Sequence, residues 1–376
     1  MIRMLCAPGR YVQGAGAIRE IGRQAARLGT SALLVGGKTA LSLCAGEIAG
    51  NLAQAGLACR EEPFRGVSSR SEISRLADAA RSHGADLVIA LGGGAAIDAG
   101  KAVSHELGLP VIVVPTIIAT DAPCSALSVI YQEDGTFESY LRLSGNPDCI
   151  LVDTDLVLLS PARYLVAGMG DALGTCWEAD TCARSGNPNP WTGGERQPLA
   201  VGAVARMCRE TLLECGLQAK LAVERKEVTP AVESIVEANI LLSGLTSENG
   251  GHAGGHSIHN GLTVLEGTRS ALHGEKVAFG VLAQLVLEGR PSKDVREVLE
   301  FCASVGLPVC LADIGLLNPS LEDIRLAAEA ATAEGETIHA TWFPVTATMV
   351  EAAIWAADAL GAAYLESGDA GDKAEG

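Results

Sequence analysis

The chain has 376 residues, which is long enough for two domains that each bury a substantial core. A hydrophobic content of 48% is typical of a globular protein and excludes a disordered chain. The net charge of −17 argues against nucleic acid or an anionic membrane surface as a partner. Eleven cysteines without CxxC pairs indicate reduced thiols, and neither a leader-like N-terminus nor a long apolar span is present. We therefore expect a cytoplasmic protein.

Residues 1–160 alternate short apolar runs with amphipathic stretches. This alternation predicts a parallel sheet covered by helices. The predicted strands are 31–35, 59–64, 87–90, 111–114 and 149–152. The predicted helices between them are 41–55, 71–82 and 95–105.

After Pro161 the strand signals nearly vanish, and long segments rich in alanine and leucine follow. The predicted helical segments are 162–183, 197–215, 231–245, 275–287, 292–305, 321–331 and 346–367. The fold class is therefore an α/β N-terminal domain over 1–160 and an all-α C-terminal domain over 161–376. We expect the last residues, 368–376, to be disordered.

Three glycines follow the predicted strand 87–90, in the stretch LGGGAAIDAGK at 91–101. A glycine turn between strand and helix brings bare backbone N–H groups and the positive end of the helix against a phosphate. The spacing is not GxGxxG, so the usual dinucleotide fingerprint is absent. A tight turn without a ligand also explains three glycines taken alone.

The next predicted strand leads into PTIIATDAPCSALSVIY at 115–131, which places Asp121 among apolar and hydroxyl side chains. GGGxxxDxxK followed by this block resembles the iron-containing (group III) alcohol dehydrogenase superfamily, and within it the glycerol dehydrogenases. The resemblance extends from Tyr11 to His339, which is nearly the full chain. It implies an architecture like that of dehydroquinate synthase, with a dinucleotide-binding domain before the helical one.

Three polar residues of the helical half stand where metal ligands could converge. Asp171 lies in an alanine-rich helix, where a lone buried charge is costly unless it is paired or bound to metal. His256 and His259 are three residues apart and share a helix face, and His273 opens the next helix. One carboxylate and two imidazoles would form a three-ligand site with an open fourth position. Spacing alone also allows solvent-facing or satisfied core histidines.

The resemblance implies that Asp171, His256 and His273 hold zinc, because they match the zinc ligands of glycerol dehydrogenases. The iron-binding branch carries a fourth ligand, a histidine four residues after the aspartate, where this chain has Thr175. The resemblance also implies that His259 lines the pocket. His252 has no counterpart in the family and is expected to be incidental.

The resemblance implies NAD as cofactor, with two departures at the predicted nucleotide site. The family's ribose-binding aspartate is replaced by Gly37, and the adjacent Lys38 could accommodate the 2′-phosphate of NADP or simply be a solvated lysine. A lysine and a threonine of the family's GGGKTxD motif are also missing. NADP therefore stays possible beside NAD. The implied cofactor-binding residues are Gly37, Gly93, Gly94, Ala95, Thr116, Ser125, Leu127 and Tyr131.

The expected reaction is oxidation of glycerol to dihydroxyacetone, with Asp121 and His256 as the catalytic and substrate-binding residues. Asp121 would bind the second hydroxyl of a vicinal diol, or it would only cap backbone N–H groups of its loop. The alternative is a dehydrogenase of the same family that acts on another small diol or hydroxy-acid. Dehydroquinate synthase activity is disfavoured because its substrate would require several lysines and arginines near these residues. We expect a homo-oligomer.

Overall fold

The computed structural model describes residues 2–192 and 196–372, with side chains described up to residue 367. It divides into two compact units, each discontinuous in sequence. The sheet unit comprises Cys6–Leu165 and Leu221–Leu245. The helical unit comprises Met1–Leu5, Val166–Lys220 and Thr246–Gly376.

The sheet unit is built on six parallel strands in the order β1-β8-β5-β4-β2-β3. All five predicted strands are present, and an edge strand at the N-terminus is added to them. A separate antiparallel hairpin pairs β6 with β7. The strands are β1 (Tyr11–Gly14), β2 (Ser31–Gly37), β3 (Ala58–Phe64), β4 (Leu87–Gly92), β5 (Val111–Pro115), β6 (Leu127–Tyr131), β7 (Phe137–Arg142) and β8 (Cys149–Asp153).

Helices cover both faces of the six-stranded sheet, and successive residues of a strand enter opposite cores. Leu34 and Ile89 pack with one set of helices, whereas Leu33 and Val88 pack with the other. The first core is covered by α1 (Ile21–Ala25) and α2 (Lys38–Gln54), and the second by α3 (Arg70–His83) and α4 (Gly94–Leu107). A short helix, α5 (Thr154–Val157), follows β8.

The remaining helices include every helical segment predicted after Pro161. Within the helical unit, α10 packs against α11 and α13, and α14 packs against α11 and α13. The final helix extends to Asp372 where a disordered tail was expected, and 373–376 lie outside the described residues. The helices are α6 (Ala162–Ser185), α7 (Leu199–Glu224), α8 (Pro230–Glu237), α9 (Ser243–Gly250), α10 (Gly254–Leu262), α11 (His273–Leu287), α12 (Ser292–Val305), α13 (Leu321–Ala331) and α14 (Ala347–Asp372).

One segment of the predicted helical domain belongs to the sheet unit. Glu233 on α8 accepts hydrogen bonds from Gln13 Nε2 at 2.5 Å and from Thr154 Oγ1 at 2.8 Å. A π-helical turn, Ala238–Leu242, follows α8, and there Asn239 donates to the carbonyl of Leu165 at 2.9 Å. The compact units therefore differ from the predicted bounds of 1–160 and 161–376, because these contacts join residues far apart in sequence.

Among the described residues, no helix has the length and apolarity needed to cross a membrane. The eleven cysteines are all free thiols, and seven of them are buried. These buried thiols act as small core side chains.

Candidate metal and cofactor sites

The helical unit brings Asp171, His256 and His273 together, as the sequence predicted. Asp171 Oδ1 lies 3.3 Å from His256 Nε2 and 3.2 Å from His273 Nε2. The three ligand atoms all lie within 4.8 Å of one another. Asp171 is 2% exposed, so its charge is buried beside two imidazoles. Burial by itself raises the pKa of Asp171. The charge and hydrogen bonds of the two imidazoles outweigh this effect and hold the pKa of Asp171 well below its usual range.

The close approach of two helices places the carboxylate beside the second imidazole. A Cβ on Gly274 would collide with the Ala167 carbonyl oxygen, and a Cβ on Gly170 would collide with the Gly274 carbonyl oxygen. These glycines therefore let α6 and α11 touch through their backbones. Asp171 follows Gly170 on α6, and His273 precedes Gly274 on α11, so the contact sets their separation.

The trio fits a divalent transition metal. Ligands held about 2.0–2.1 Å from a tetrahedral ion lie about 3.4 Å apart, close to the separations between Asp171 and each histidine. A carboxylate with two imidazoles is a donor set for zinc, and also for ferrous iron. In either case these side chains would supply three ligands, and a fourth position on the ion would stay open.

Glu178, which the sequence did not single out, orients the first imidazole. Its Oε2 accepts from His256 Nδ1 at 2.5 Å, and its Oε1 accepts the backbone N–H groups of Ala253 at 2.9 Å and His256 at 2.8 Å. With Nδ1 occupied in this way, Nε2 is the nitrogen available to a metal. Burial raises the pKa of Glu178, but the His256 and His252 imidazoles hold it well below its usual range.

His259 plays the corresponding part for the second imidazole. Its Nε2 lies 3.0 Å from His273 Nδ1, and its own Nδ1 donates to Asn260 Oδ1 at 3.0 Å. Burial keeps the pKa of His259 well below its usual value, so the ring is a neutral acceptor. His273 Nε2 is thereby left facing Asp171. The predicted role of His259 in lining the pocket stays a prediction.

His252, expected to be incidental, belongs to the hydrogen-bond network behind the metal ligands. Its Nδ1 lies 3.3 Å from Glu178 Oε2, and its Nε2 lies 2.9 Å from Ser247 Oγ. Glu178, His252 and His256 also form a group that could hold an ion. However, the 2.5 Å contact between Glu178 and His256 is too short for two ligands of one ion. We therefore interpret this group as hydrogen-bonded side chains.

The predicted phosphate turn lies in the sheet unit, between β4 and α4. Gly92 has φ +136°, a conformation that favours glycine, and Gly93 is the extended N-cap of α4. Gly94 and Ala95 open this 14-residue helix, so its positive end lies at the turn. Gly37, at the end of β2, is the N-cap of α2 and pairs with Phe64 of β3.

A buried lysine holds the loop that carries the other predicted cofactor residues. Lys101 Nζ donates to the carbonyl oxygens of Ala122, Ser125 and Leu127 and lies 3.1 Å from Asp98 Oδ1. The loop begins near the buried Thr116 and ends at β6. Leu127 and Tyr131 are the first and last residues of that strand.

Asp121 lies in the same loop and is half-buried. Its Oδ2 accepts a hydrogen bond from Ser243 Oγ at 3.1 Å, and its backbone carbonyl accepts from Cys124 N at 2.8 Å. Asp121 belongs to the sheet unit, and the three candidate metal ligands belong to the helical unit. The assignment of Asp121 to the substrate stays a prediction.

A glycine turn between a parallel strand and a helix, and an Asp–His–His trio on helices, are the features expected of a dinucleotide- and metal-dependent dehydrogenase. The family model described as iron-containing alcohol dehydrogenase matches residues 8–154. The glycerol dehydrogenase of Thermotoga maritima is 50% identical over 363 residues, covering 96% of this chain and 98% of that protein. The glycolaldehyde reductase of Halobacterium salinarum is 46% identical, with coverage of 96% and 98%.

Among solved structures, glycerol dehydrogenase from Schizosaccharomyces pombe superposes with a TM-score of 0.94 at 34% identity, covering 98% of this chain and 93% of that one. The chain belongs to the iron-containing alcohol dehydrogenase family, and it is an oxidoreductase. The predicted family and fold class are confirmed.

Proposed function

We propose that the chain is a metal-dependent polyol dehydrogenase that oxidises glycerol to dihydroxyacetone and reduces NAD⁺ to NADH, with release of one proton. The observation that carries the proposal is the Asp171–His256–His273 trio, in which Asp171 is buried and the separations suit one metal ion. Relatives of 43% and 50% identity over nearly the whole chain are named glycerol dehydrogenase, which supports glycerol as substrate.

We assign zinc to the trio. The family's iron-binding branch carries a fourth histidine where this chain has Thr175, and the Thr175 hydroxyl donates to the Ala172 carbonyl at 2.9 Å within its own helix. When bound, the ion would act as a Lewis acid that lowers the pKa of the substrate hydroxyl. Asp171 supplies the negative charge of the site, while Glu178 and His259 hold the two imidazoles in the tautomer that exposes Nε2.

The sheet unit supplies the groups proposed for the cofactor and for the second hydroxyl of the substrate. The backbone at Gly93, Gly94 and Ala95 would bind the pyrophosphate of NAD, whose nicotinamide accepts the hydride. The carboxylate of Asp121 would accept a hydrogen bond from the second hydroxyl of a vicinal diol. Ser243 donates to the same carboxylate and so fixes its orientation.

A second candidate is a reductase or dehydrogenase of the same family that acts on a smaller hydroxy-aldehyde or diol. The 46%-identical relative named glycolaldehyde reductase favours it. In addition, Ser247 stands where the family has an aromatic residue, and its hydroxyl is bonded to His252. A small polar residue there changes the size and polarity expected of the pocket.

A substrate panel on the zinc-loaded protein tests the proposal. The panel contains glycerol, 1,2-propanediol, lactate and 2-propanol, each measured with NAD⁺ and with NADP⁺. We expect the highest kcat/KM with glycerol. We expect no activity in the His256→Ala variant. Reduction of glycolaldehyde is measured in the same series. A kcat/KM for glycolaldehyde far above that for dihydroxyacetone in the reductive direction would contradict the glycerol assignment and support the second candidate.

A further inference from the structure

A cavity of the helical unit, which contains none of the metal trio, has six arginines among its lining residues. It encloses about 570 Å³ and lies against α6 and the first half of α7. Only two acidic side chains, Asp180 and Asp294, are among its described lining residues. The lining arginines are Arg3, Arg184, Arg196, Arg206, Arg209 and Arg290. For a chain of net charge −17, this is an unusual concentration of positive charge.

Protein carboxylates neutralise only part of this charge. Asp180 Oδ2 pairs with Arg184 at 2.9 Å and with Arg290 at 2.7 Å, and Arg290 is also bonded to Glu288. Within the described residues, Arg3, Arg196 and Arg206 form no ion pair with a carboxylate. Arg3 and Arg196 are joined by a parallel backbone bridge, and the side chains of Arg3, Arg196 and Arg206 are exposed at the rim of the cavity.

Two buried donors of the same cavity also lack acceptors among the described residues. Trp177 is 3% exposed, and its indole N–H makes no hydrogen bond. The Arg209 guanidinium lies 4.8 Å from the Trp177 ring, and its Nε makes no hydrogen bond, since the Glu297 carboxylate is 3.8 Å away. Buried polar groups are nearly always paired in folded proteins. The buried, unmatched Trp177 N–H beside the arginines that line this cavity therefore points to an acceptor from a ligand.

From this arrangement we propose that the cavity lined by α6 and α7 is a binding site for a small phosphate-bearing polyanion. Guanidinium groups match phosphate oxygens in bidentate geometry, and a phosphate supplies acceptors for the Trp177 and Arg209 donors as well. The cavity volume is that of a small-molecule site. The ligand would contact the helix that also carries Asp171, six residues before Trp177, without using any residue of the metal trio.

Isothermal titration of the full-length, metal-loaded protein with pyrophosphate tests the proposal, at constant ionic strength set with chloride and with saturating NAD⁺. We expect one pyrophosphate site beyond the cofactor site. Arg196→Gln combined with Arg206→Gln should weaken it at least tenfold. Trp177→Phe, which keeps the ring beneath Arg209 but removes the indole N–H, should weaken it about threefold to tenfold. Arg27→Gln, at an exposed arginine of the sheet unit, is the matched control and should leave binding unchanged.

Three outcomes would overturn the proposal. The first is the absence of pyrophosphate binding to the wild-type protein. The second is equal weakening by the Arg27→Gln control and by the Arg196→Gln/Arg206→Gln pair, because binding would then follow net charge rather than this cavity. The third is binding of citrate without binding of pyrophosphate, which would assign the site to carboxylates. Loss of dehydrogenase activity plays no part in these measurements, so they are independent of the proposed function.

Discussion

At the scale of single residues, the metal affinity proposed for the trio should depend on a carboxylate that is not one of the proposed ligands. Glu178 holds His256 through Nδ1, so Nε2 keeps its position opposite Asp171. We expect Glu178→Gln to lower metal affinity about 10–100-fold, because the amide accepts a weaker hydrogen bond and removes a charge. Competition with a chromophoric chelator measures this change. Glu322→Gln, at an exposed glutamate of the same unit, should leave affinity unchanged, and equal losses in both variants would contradict the role of Glu178.

Proton release on metal binding is a second consequence of the same residues. Burial favours neutral His256, but Glu178 and Asp171 raise its pKa well above the ordinary value in the metal-free protein. We therefore expect His256 to hold its proton more tightly than an ordinary histidine, so a metal that binds Nε2 would have to displace that proton. Metal affinity should then rise about tenfold per pH unit through neutrality.

Titration calorimetry in buffers of different ionisation enthalpy counts the released protons at pH 7. The expected value is close to one for the wild-type protein and smaller for Glu178→Gln, in which His256 loses one of the two carboxylates that raise its pKa. No proton release in the wild-type protein would show that His256 is already neutral without metal.

Asp121 is the residue proposed to distinguish diols from simple alcohols. Asp121→Ala should raise KM for glycerol, because a lost charged hydrogen bond costs about 1.5–3 kcal/mol. The KM for 2-propanol should change little, since that alcohol has no second hydroxyl. Ser243→Ala is a useful control, because it removes the donor to Asp121 and keeps the carboxylate. An equal rise in KM for glycerol and for 2-propanol would contradict the assignment of Asp121 to the second hydroxyl.

At the scale of elements, the start of α2 bears on the choice between NAD and NADP. Gly37 is the N-cap with φ −64°, and no atom lies within 4 Å of a Cβ placed there, so aspartate fits without strain. We expect NAD to be the working cofactor and NADP to be tolerated. Loss of one ribose hydrogen bond at Gly37 costs about 0.5–1.5 kcal/mol, and an exposed lysine adds about 1 kcal/mol at most toward a 2′-phosphate.

Two variants test this expectation. Gly37→Asp should restore strict preference for NAD⁺ through a new acceptor and through repulsion of the 2′-phosphate. Lys38→Ala should lower kcat/KM with NADP⁺ and leave the value with NAD⁺ nearly unchanged. An equal effect of Lys38→Ala on both cofactors would identify Lys38 as an ordinary solvated residue.

At the scale of the whole molecule, metal removal should destabilise the folded chain. The trio draws on three helices, α6, α10 and α11, so an ion bound there links segments from residue 171 to residue 273. A ligand at 100 times its Kd adds about 2.7 kcal/mol to the free energy of unfolding. We expect chelator treatment to lower the Tm of the wild-type protein by several degrees and to leave the Tm of Asp171→Asn unchanged. An unchanged wild-type Tm after verified metal loss would contradict the link.

Local pattern in the sequence was sufficient for most elements, whereas the metal trio was predicted from the family resemblance, because spacing alone also allowed solvent-facing or satisfied core histidines. Strands 87–90 and 111–114 are continuous apolar runs. Such runs are typical of parallel strands that are buried on both faces of a sheet. The histidine spacing places His256 and His259 on one helix, and α10 confirms it. These inferences succeed because they depend on neighbours a few residues apart. The start of α3 shows the limit of such inferences, since the predicted helix 71–82 begins at Arg70 and is capped by Ser69.

Tertiary structure alone decided the features that join distant segments. The edge strand β1 is four residues long and exists by pairing with β8 some 140 residues later, so it carries no strong local signal. Leu221–Leu245 reads as another amphipathic helical segment, yet Glu233 and Asn239 bond to the sheet unit. Glu178 reads as one of 45 acidic residues, and only its burial against His256 distinguishes it. Helical periodicity reveals which face of a helix is buried, but the partner of that face is determined by long-range packing.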